Sequence, residues 1–203
     1  YTMTANVSDA DGNAAAEVTS SSFSVDTTLP TISAIATGAF SWGAVLNATE
    51  DNSNGTVTVT TVGLEDGQTV TLVLNGENYT GSVSSNSVTV TISASGLQAL
   101  TDGQSYTMTA NVSDAAGNAA AEVTSSAFLV DTTLATVSGV DSTTDAGYYN
   151  AGSTIDIRVT FTESVTVSGT PQITLETGSS DAVVNYSSGS GSNVLTFNYT
   201  VSS

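Results

Sequence analysis

The sequence predicts an all-β protein built from tandem antiparallel β-sandwiches. Three observations carry this prediction. Apolar and polar residues alternate with a period of two along most of the chain, which is typical of strands buried on one face. Gly, Asn and Asp separate the alternating segments at short intervals, while Pro occurs only twice. Ser and Thr are abundant (31 and 35 of 203 residues), and β-branched Thr favours a pleated, half-buried surface.

An internal repeat divides the chain. Residues 106–135 match residues 1–30 at 26 of 30 positions, with an offset of 105, and such identity indicates a tandem duplication. The tetrapeptide Val-Asp-Thr-Thr marks a junction in each copy. We therefore expect the last strand pair of one repeat in residues 1–28, a complete repeat in 29–133, and the first part of a second type of repeat in 134–203. On this interpretation the chain is truncated at both ends, within domains.

The central repeat has seven or so short strands in about 105 residues, which are the proportions of a sandwich. Only residues 94–100 suggest a helical turn. Tyr106 follows an Asp-Gly-Gln turn and resembles a tyrosine corner, although an ordinary core tyrosine would look the same. The inward rows of these strands are Val57 and Val59; Val70, Leu72 and Leu74; Val88, Val90 and Ile92; Tyr106, Met108, Ala110 and Val112; and Val123, Phe128 and Val130.

The same alternation continues in the third part of the chain. Ile155, Ile157 and Val159 alternate with polar residues, and a further strand pattern spans residues 195–201. Arg158 falls on the polar face of its strand. We expect it to be a surface residue with a carboxylate neighbour.

The charge inventory excludes several classes of function. The formal net charge is −18, Arg158 is the one cationic side chain, and Lys, His and Cys do not occur. The chain therefore has no imidazole base, thiolate or amine nucleophile, and we do not expect an enzyme. A single cation cannot neutralise several phosphates, so nucleic-acid binding is not expected. The apolar runs are too short for membrane insertion.

The acidic residues concentrate at turns and junctions. If the sandwich follows immunoglobulin strand order, two loops and the preceding junction meet at one end. This placement gathers Asp26, Glu65, Asp66, Asp114 and Asn118. Carboxylates held this close repel one another, and a hard cation with six to eight oxygen ligands would relieve the repulsion. Calcium fits flexible loops better than magnesium, so the sequence predicts a calcium site here.

The same pattern predicts related sites elsewhere. Asp131 and Glu163 would serve the next junction, and Asp9 and Asn13 occupy the matching loop of the first copy. The spacing is not that of an EF-hand, because Gly occupies position 4 of the loop rather than position 6. The alternative is that Asp-Gly and Gly-Asn only form turns. A second acidic group at residues 47–51 could hold a further ion.

Several motifs occur in order along the central repeat: LNATED at 46–51, GLEDGQTV at 63–70, NVSDAAGN at 111–118 and VDTT at 130–133. With these motifs it resembles the bacterial immunoglobulin-like tandem repeats of giant secreted adhesins of the RTX or biofilm type. The third part is similar to another repeat class of the same proteins, through YYNAGSTI at 148–155 and GTPQITL at 169–175. The resemblance implies an extracellular, secreted chain on the bacterial cell surface, with calcium at its linkers.

The leading expectation is a structural extender, or spacer, that projects an adhesive domain for cell adhesion or biofilm formation. Its partners would be neighbouring repeats of the same chain, with a cell-surface or glycan target bound by other domains. One alternative is a glycan-binding module that uses Trp42, Phe40 and Tyr79 as a stacking platform. Another is a self-assembling extracellular fibre, in which the strand pair of one copy completes the open third part of another copy by strand addition.

Overall fold

The computed structural model describes residues 1–202, and nearly all of its regular structure is β-strand. The chain divides into two compact units, Tyr1–Thr132 and a second unit that begins at Thr133. Ser203, the last residue of the predicted third part, lies outside the described residues. The first unit contains both the strand pair of residues 1–28 and the central repeat.

The first unit contains twelve short strands, one α-helix and two 3-10 turns. The strands are β1 Thr4–Ala5, β2 Val18–Thr19, β3 Thr31–Ile32, β4 Val45–Asn47, β5 Gly55–Val62, β6 Thr69–Leu74, β7 Glu77–Ser82, β8 Ser87–Ile92, β9 Ser105–Tyr106, β10 Met108–Asn111, β11 Val123–Thr124 and β12 Phe128–Asp131. The helix is α1 Ala94–Gln98, and the 3-10 turns are Thr37–Ala39 and Glu50–Asn52.

Three sheets enclose the core of the central repeat. Their strand orders are β3-β5-β8, β11-β10-β6-β7 and β4-β12-β9. The chain leaves one sheet after β9 and enters another at β10, so Thr107 marks the crossing between them. β12 pairs in parallel with β4 and antiparallel with β9. The architecture is the predicted immunoglobulin-like β-sandwich, although the strands are divided into more segments than the seven expected.

The period-two pattern produces the core as predicted. Val57 pairs with Val90 and Val59 with Val88 across β5 and β8, and all four side chains are buried. Thr58, between the two β5 valines, lies on the exposed face. On the other side of the core, Leu72 and Ala110 pair across β6 and β10. Burial of these apolar rows supplies the main favourable term in the folding of the unit.

Two aromatic residues have structural roles. The hydroxyl of Tyr106 accepts a hydrogen bond from the backbone N–H of Thr101 at 2.9 Å, so the predicted tyrosine corner is confirmed. Trp42 lies in the core, stacked on Phe40 at 5.4 Å and edge-on to Phe128 at 5.3 Å between ring centroids. The expectation of a sugar-stacking platform at Trp42 is therefore wrong, because the buried indole offers no free face to a ligand.

The second unit is one five-stranded antiparallel sheet. Its strands are β13 Val137–Asp141, β14 Thr154–Val165, β15 Gln172–Leu175, β16 Ala182–Ser188 and β17 Ser192–Thr200. Their order in the sheet is β13-β14-β17-β16-β15. Ile157, Val159 and Leu195 are buried in its apolar cluster, as the alternation predicts. Arg158 forms two hydrogen bonds with Asp141, Nε to Oδ1 at 2.8 Å and Nη2 to Oδ2 at 2.9 Å, which confirms the expected carboxylate neighbour.

Candidate functional site

The candidate site is built on a tight turn between β10 and β11. The backbone N–H of Asp114 donates to the carbonyl of Asn118 at 3.0 Å, and Gly117 donates back to the carbonyl of Asp114 at 3.1 Å. Gly117 has φ of 93°, in the left-handed region that glycine adopts without steric cost. The turn therefore needs glycine at this position, and it holds Asp114 and Asn118 side by side.

The Asp114 carboxylate is buried, and each of its two oxygens accepts a hydrogen bond from Asn118. Its Oδ1 accepts from the backbone N–H of Asn118 at 2.7 Å, and its Oδ2 accepts from the Asn118 Nδ2 at 2.8 Å. The bond from the Asn118 side chain holds the pKa of Asp114 below its usual range, and backbone N–H groups of the turn add to this effect against the cost of burial. Asp114 is therefore ionised at neutral pH.

Two other parts of the chain reach this turn. Glu65, in the loop before β6, accepts a hydrogen bond at Oε2 from the backbone N–H of Ala115 at 3.1 Å. The Asn118 Nδ2 also donates to the backbone carbonyl of Asp26 at 3.2 Å. The Asp26 carboxylate accepts from the N–H of Thr28 at 2.9 Å and so fixes the linker locally. Four of the five residues predicted to converge therefore lie in one hydrogen-bonded group.

Asp66, the fifth residue, makes a different contact. Its Oδ1 accepts from the backbone N–H of Ser85 at 2.7 Å, in the connection between β7 and β8. Glu65 and Asp66 are adjacent in sequence, and successive side chains in this loop point to different neighbours. The loop thus contributes Glu65 to the Asp114 turn, while Asp66 joins the loop to another hairpin.

The first copy of the repeat folds into the same turn. Asp9 accepts from the backbone N–H of Asn13 at 2.8 Å and from its side-chain Nδ2 at 2.8 Å, which reproduces the Asp114 contacts. The Asn13 side chain is also the main cause that lowers the pKa of Asp9. Asp9 and Asn13 are exposed, however, whereas Asp114 is buried.

The remaining predicted ligands lie in different units. Asp131 is the last residue of β12 in the first unit, and Glu163 is a half-buried residue of β14 in the second. Their joint site stays a prediction. In the second acidic group, Glu50 Oε2 accepts from the backbone N–H of Asn47 at 3.1 Å, so this carboxylate closes its own loop.

The donor atoms around the Asp114 turn decide whether it could hold a cation. Within residues 1–202, no three Asp, Glu, His or Cys side chains form a metal-binding group. The Asp114 turn offers two carboxylates, the carbonyl of Asp26 and the carboxamide of Asn118. Oxygen ligands of this kind suit a hard cation. A half-turn of the Asn118 carboxamide would replace Nδ2 by Oδ1 and leave only oxygens facing the Asp26 carbonyl and Asp114 Oδ2.

Asp156, on the strand β14, accepts more hydrogen bonds than any other carboxylate in the described part of the second unit. It accepts from the backbone N–H and hydroxyl groups of Thr143 and Thr144 and from the hydroxyl of Ser142. Hydrogen bonds from the Thr144 and Thr143 hydroxyls lower its pKa strongly. The Ser-Thr-Thr run that follows β13 was the available signal for this site.

An open groove of about 560 Å³ lies beside the Asp114 turn. Residues of β6, β10 and the turn line it, and none of them is charged: Gly67, Gln68, Thr69, Asn111, Val112, Ser113, Ala119 and Ala120. These side chains provide no acid–base pair or activated nucleophile. Among residues 1–202, no helix is long and apolar enough to span a membrane.

The proteins of known structure that are similar to this chain are bacterial adhesins. No family model and no curated protein matches the chain. Among solved structures, it is similar to a Ca2+-stabilized adhesin with which an Antarctic bacterium binds ice (25% identity, TM-score 0.48, 98% of this chain and 48% of the other). It is also similar to a 1.5-MDa bacterial ice-binding adhesin (22% identity, TM-score 0.50, 98% and 62%), which supports the fold. The chain thus spans less than two thirds of either structure.

A third similarity is to one domain only. A bacterial immunoglobulin-like domain from the M. primoryensis ice-binding adhesin is 34% identical and has a TM-score of 0.36. The match covers 51% of this chain and 96% of that domain. Identity at this level over nearly a whole domain, together with the ordered motifs and the sandwich fold, shows the family. The chain belongs to the bacterial immunoglobulin-like repeats of large adhesins.

Proposed function

We propose that this chain is part of a calcium-stiffened extender of a cell-surface adhesin, which holds an adhesive domain away from the bacterium. The proposal rests on one observation: the linker residue Asp26, the loop residue Glu65 and the Asp114 turn meet in one hydrogen-bonded group. A cation bound there would tie the linker to the body of the repeat. The adhesin of the Antarctic bacterium is described as Ca2+-stabilized.

Electrostatics favours a cation at this position. The protein has a net charge of −18, and its one Arg pairs with Asp141 in the second unit. Bound calcium would therefore offset repulsion between carboxylates that no cationic side chain of the first unit relieves. Without the ion, the linker would be held by the single contact from Asn118 and by local bonds within residues 26–28. Calcium removal should then loosen the linker without unfolding the sandwich.

The test is thermal unfolding of the full chain in calcium and in excess chelator. An ion at a concentration of 100 times its dissociation constant stabilises the folded state by about 2.7 kcal/mol per site. We expect the midpoint of the first unit to rise in calcium and Asp114→Asn to remove most of the rise. Glu77→Gln is the matched control. Glu77 begins β7 and pairs with Leu74, the last residue of β6, whereas Glu65 lies in the loop before β6.

Isothermal titration calorimetry with calcium gives the number of ions that the wild type and each variant bind. A chain that binds no calcium, or an Asp114→Asn variant that binds as the wild type does, would contradict the proposed site. In that case the turn-forming role of Asp114 alone accounts for the geometry, since its hydrogen bonds already close the turn. The adhesive target and the biofilm role belong to the whole protein and are proposed here only through the family.

A further inference from the structure

The central repeat contains two Asn-Gly pairs, Asn54-Gly55 and Asn75-Gly76, in opposite environments. In such a pair the backbone nitrogen of Gly can attack the side-chain carbonyl carbon of Asn, because glycine has no side chain to hinder the approach. The two pairs have the same chemistry, so any difference in their reactivity comes from the fold around them.

Asn75 and Gly76 form the whole connection between β6 and β7. Leu74 and Glu77 pair across it, so the loop has only these two residues. Asn75 has φ of 51° and Gly76 has φ of 82°, and positive values at both central positions are those of a type I′ turn. Asn-Gly is a favoured pair for this turn. The sequence that builds the hairpin therefore also places a reactive Asn at its tip.

Both reacting groups at this tip are accessible. Asn75 and Gly76 are exposed. Among the described residues 1–202, neither the Asn75 carboxamide nor the Gly76 N–H is hydrogen-bonded to another group of the protein. A Cβ built on Gly76 would meet no atom within 4 Å, so the backbone has open space around it. The nitrogen can therefore approach the side-chain carbonyl carbon through torsions of the turn alone.

The other pair is held by the fold. Asn54 Oδ1 accepts a hydrogen bond from the backbone N–H of Ala94 at 3.0 Å, at the start of α1. Gly55 is buried as the first residue of β5, where it pairs with Ile92 of β8. A Cβ at Gly55 would lie 2.5 Å from a ring atom of Trp42, so the indole packs directly on this glycine. Before Asn54 could cyclise, β5 would have to separate from β8 and Trp42.

We propose that Asn75 is a self-modification site, at which the chain loses ammonia and becomes a mixture of aspartate and isoaspartate, while Asn54 is protected. The Gly76 nitrogen forms a bond to Asn75 Cγ and loses its proton, and the Cγ–Nδ2 bond breaks to release ammonia. The product is a succinimide ring. Water then opens this ring at one of its two carbonyl carbons. Opening at Cγ gives aspartate, and opening at the backbone carbonyl gives isoaspartate.

The two products differ in their effect on the hairpin. Aspartate keeps the backbone unchanged, and Asp-Gly suits a type I′ turn as Asn-Gly does. Isoaspartate routes the main chain through Cβ and Cγ, so the connection between β6 and β7 becomes longer by one methylene. Leu74 is buried and pairs with Glu77 directly beside the turn, so the extra length disturbs a strand that carries core residues.

This modification goes beyond the extender function and does not depend on bound calcium. Each product adds one negative charge to a chain whose net charge is −18. Because the reaction consumes only water, the modified fraction records how long the folded chain has been in solution.

Peptide mapping by mass spectrometry, after incubation of the full chain at mildly alkaline pH, measures both sites in one sample. Exchange of the amide for an acid changes the mass of each peptide, and electron-transfer fragmentation distinguishes isoaspartate from aspartate. We expect conversion at Asn75 to be at least about tenfold faster than at Asn54 in the folded chain, because Asn54 has to wait for β5 to open. In concentrated urea the two sites should react at similar rates, because the unfolded chain protects neither pair.

Two variants complete the test. Asn75→Gln has a side chain too long to close the succinimide ring, so the folded variant should release no ammonia over the period in which the wild type does. Asn75→Asp carries the added charge on a normal backbone, so it should unfold at a higher urea concentration than aged wild type that contains isoaspartate. Equal rates at Asn54 and Asn75 in the folded chain would overturn the proposal, as would an Asn75 that reacts in urea but not in the folded chain. Identical urea midpoints for Asn75→Asp and the aged wild type would overturn the effect assigned to isoaspartate.

Discussion

The repeat provides a matched pair of methionines for measuring what burial in the sandwich contributes. Met3 and Met108 occupy the same position in two nearly identical strand pairs, and each donates its backbone N–H to a serine hydroxyl at 2.9 Å. Met108 is fully buried and Met3 is 63% exposed. Replacing each in turn by alanine changes the same atoms in the same local structure. The difference between the two effects is therefore due to the surroundings.

The two substitutions should lower the free energy of unfolding by very different amounts. Met108→Ala removes buried methylene, sulfur and methyl groups from the core, a change that destabilises proteins by about 2–5 kcal/mol. Met3→Ala removes the same groups from an exposed face, and exposed substitutions usually change stability by less than about 0.5 kcal/mol. With an m-value of about 2 kcal/mol/M in urea, a loss of about 3 kcal/mol lowers the unfolding midpoint by about 1.5 M.

The fluorescence of Trp42 is a suitable signal. It is the only tryptophan in the sequence and is buried in the core of the central repeat, 5.3 Å from Phe128 between ring centroids. Its emission therefore reports the central repeat separately from the second unit. Urea titrations of wild type, Met3→Ala and Met108→Ala therefore give the stability of the central repeat in each variant.

Equal midpoints for Met108→Ala and the wild type would refute the argument, because they would mean that Met108 contributes nothing to the core. A large shift for Met3→Ala would also refute it, because a side chain that is mostly exposed cannot supply that stability.

Two further predictions concern pH and packing. The pKa of Asp156 is lowered in the folded state, so its hydrogen bonds stabilise the second unit at pH values above 3.8, the ordinary pKa of Asp, and this stability is lost as the pH falls below 3.8. Circular dichroism melts should therefore show a lower melting temperature of the second unit in acid. Asp156→Asn should be less stable than the wild type at neutral pH, and its stability should depend less on pH. Gly55→Ala would place a Cβ 2.5 Å from Trp42, so we expect a loss of about 1–3 kcal/mol by urea titration, whereas Gly38→Ala meets no neighbour within 4 Å and should unfold as the wild type does.

The sequence was sufficient for the fold class and for most core positions. Alternation of period two placed Val57, Val59 and the β6 leucines inward, and burial on one face of a sheet enforces this pattern directly. The position of Tyr106 after a glycine turn was also sufficient to predict its hydrogen bond to Thr101. The resemblance to a tyrosine corner also indicated a crossing between sheets at this point, and the chain changes sheets at Thr107.

The candidate site was predictable only in part. Immunoglobulin strand order brought Asp26, Glu65 and Asp114 to one end, because connectivity fixes which loops are neighbours. It could not distinguish Glu65 from Asp66, since adjacent loop residues differ in direction by backbone torsions that the sequence does not specify.

The position of Arg158, in the middle of β14, has a consequence for how the chain is cleaved by proteases. Proteases of the trypsin type cut after Lys or Arg, and this sequence gives them a single bond, between Arg158 and Val159. That bond lies in the middle of β14, which is hydrogen-bonded to β13 on one side and β17 on the other. A protease must bind its substrate as an extended, unpaired segment, so cleavage has to wait until the second unit opens. Digestion by such an enzyme would therefore report the opening rate or population of that unit alone, and the 157 residues before Arg158 would offer it no site.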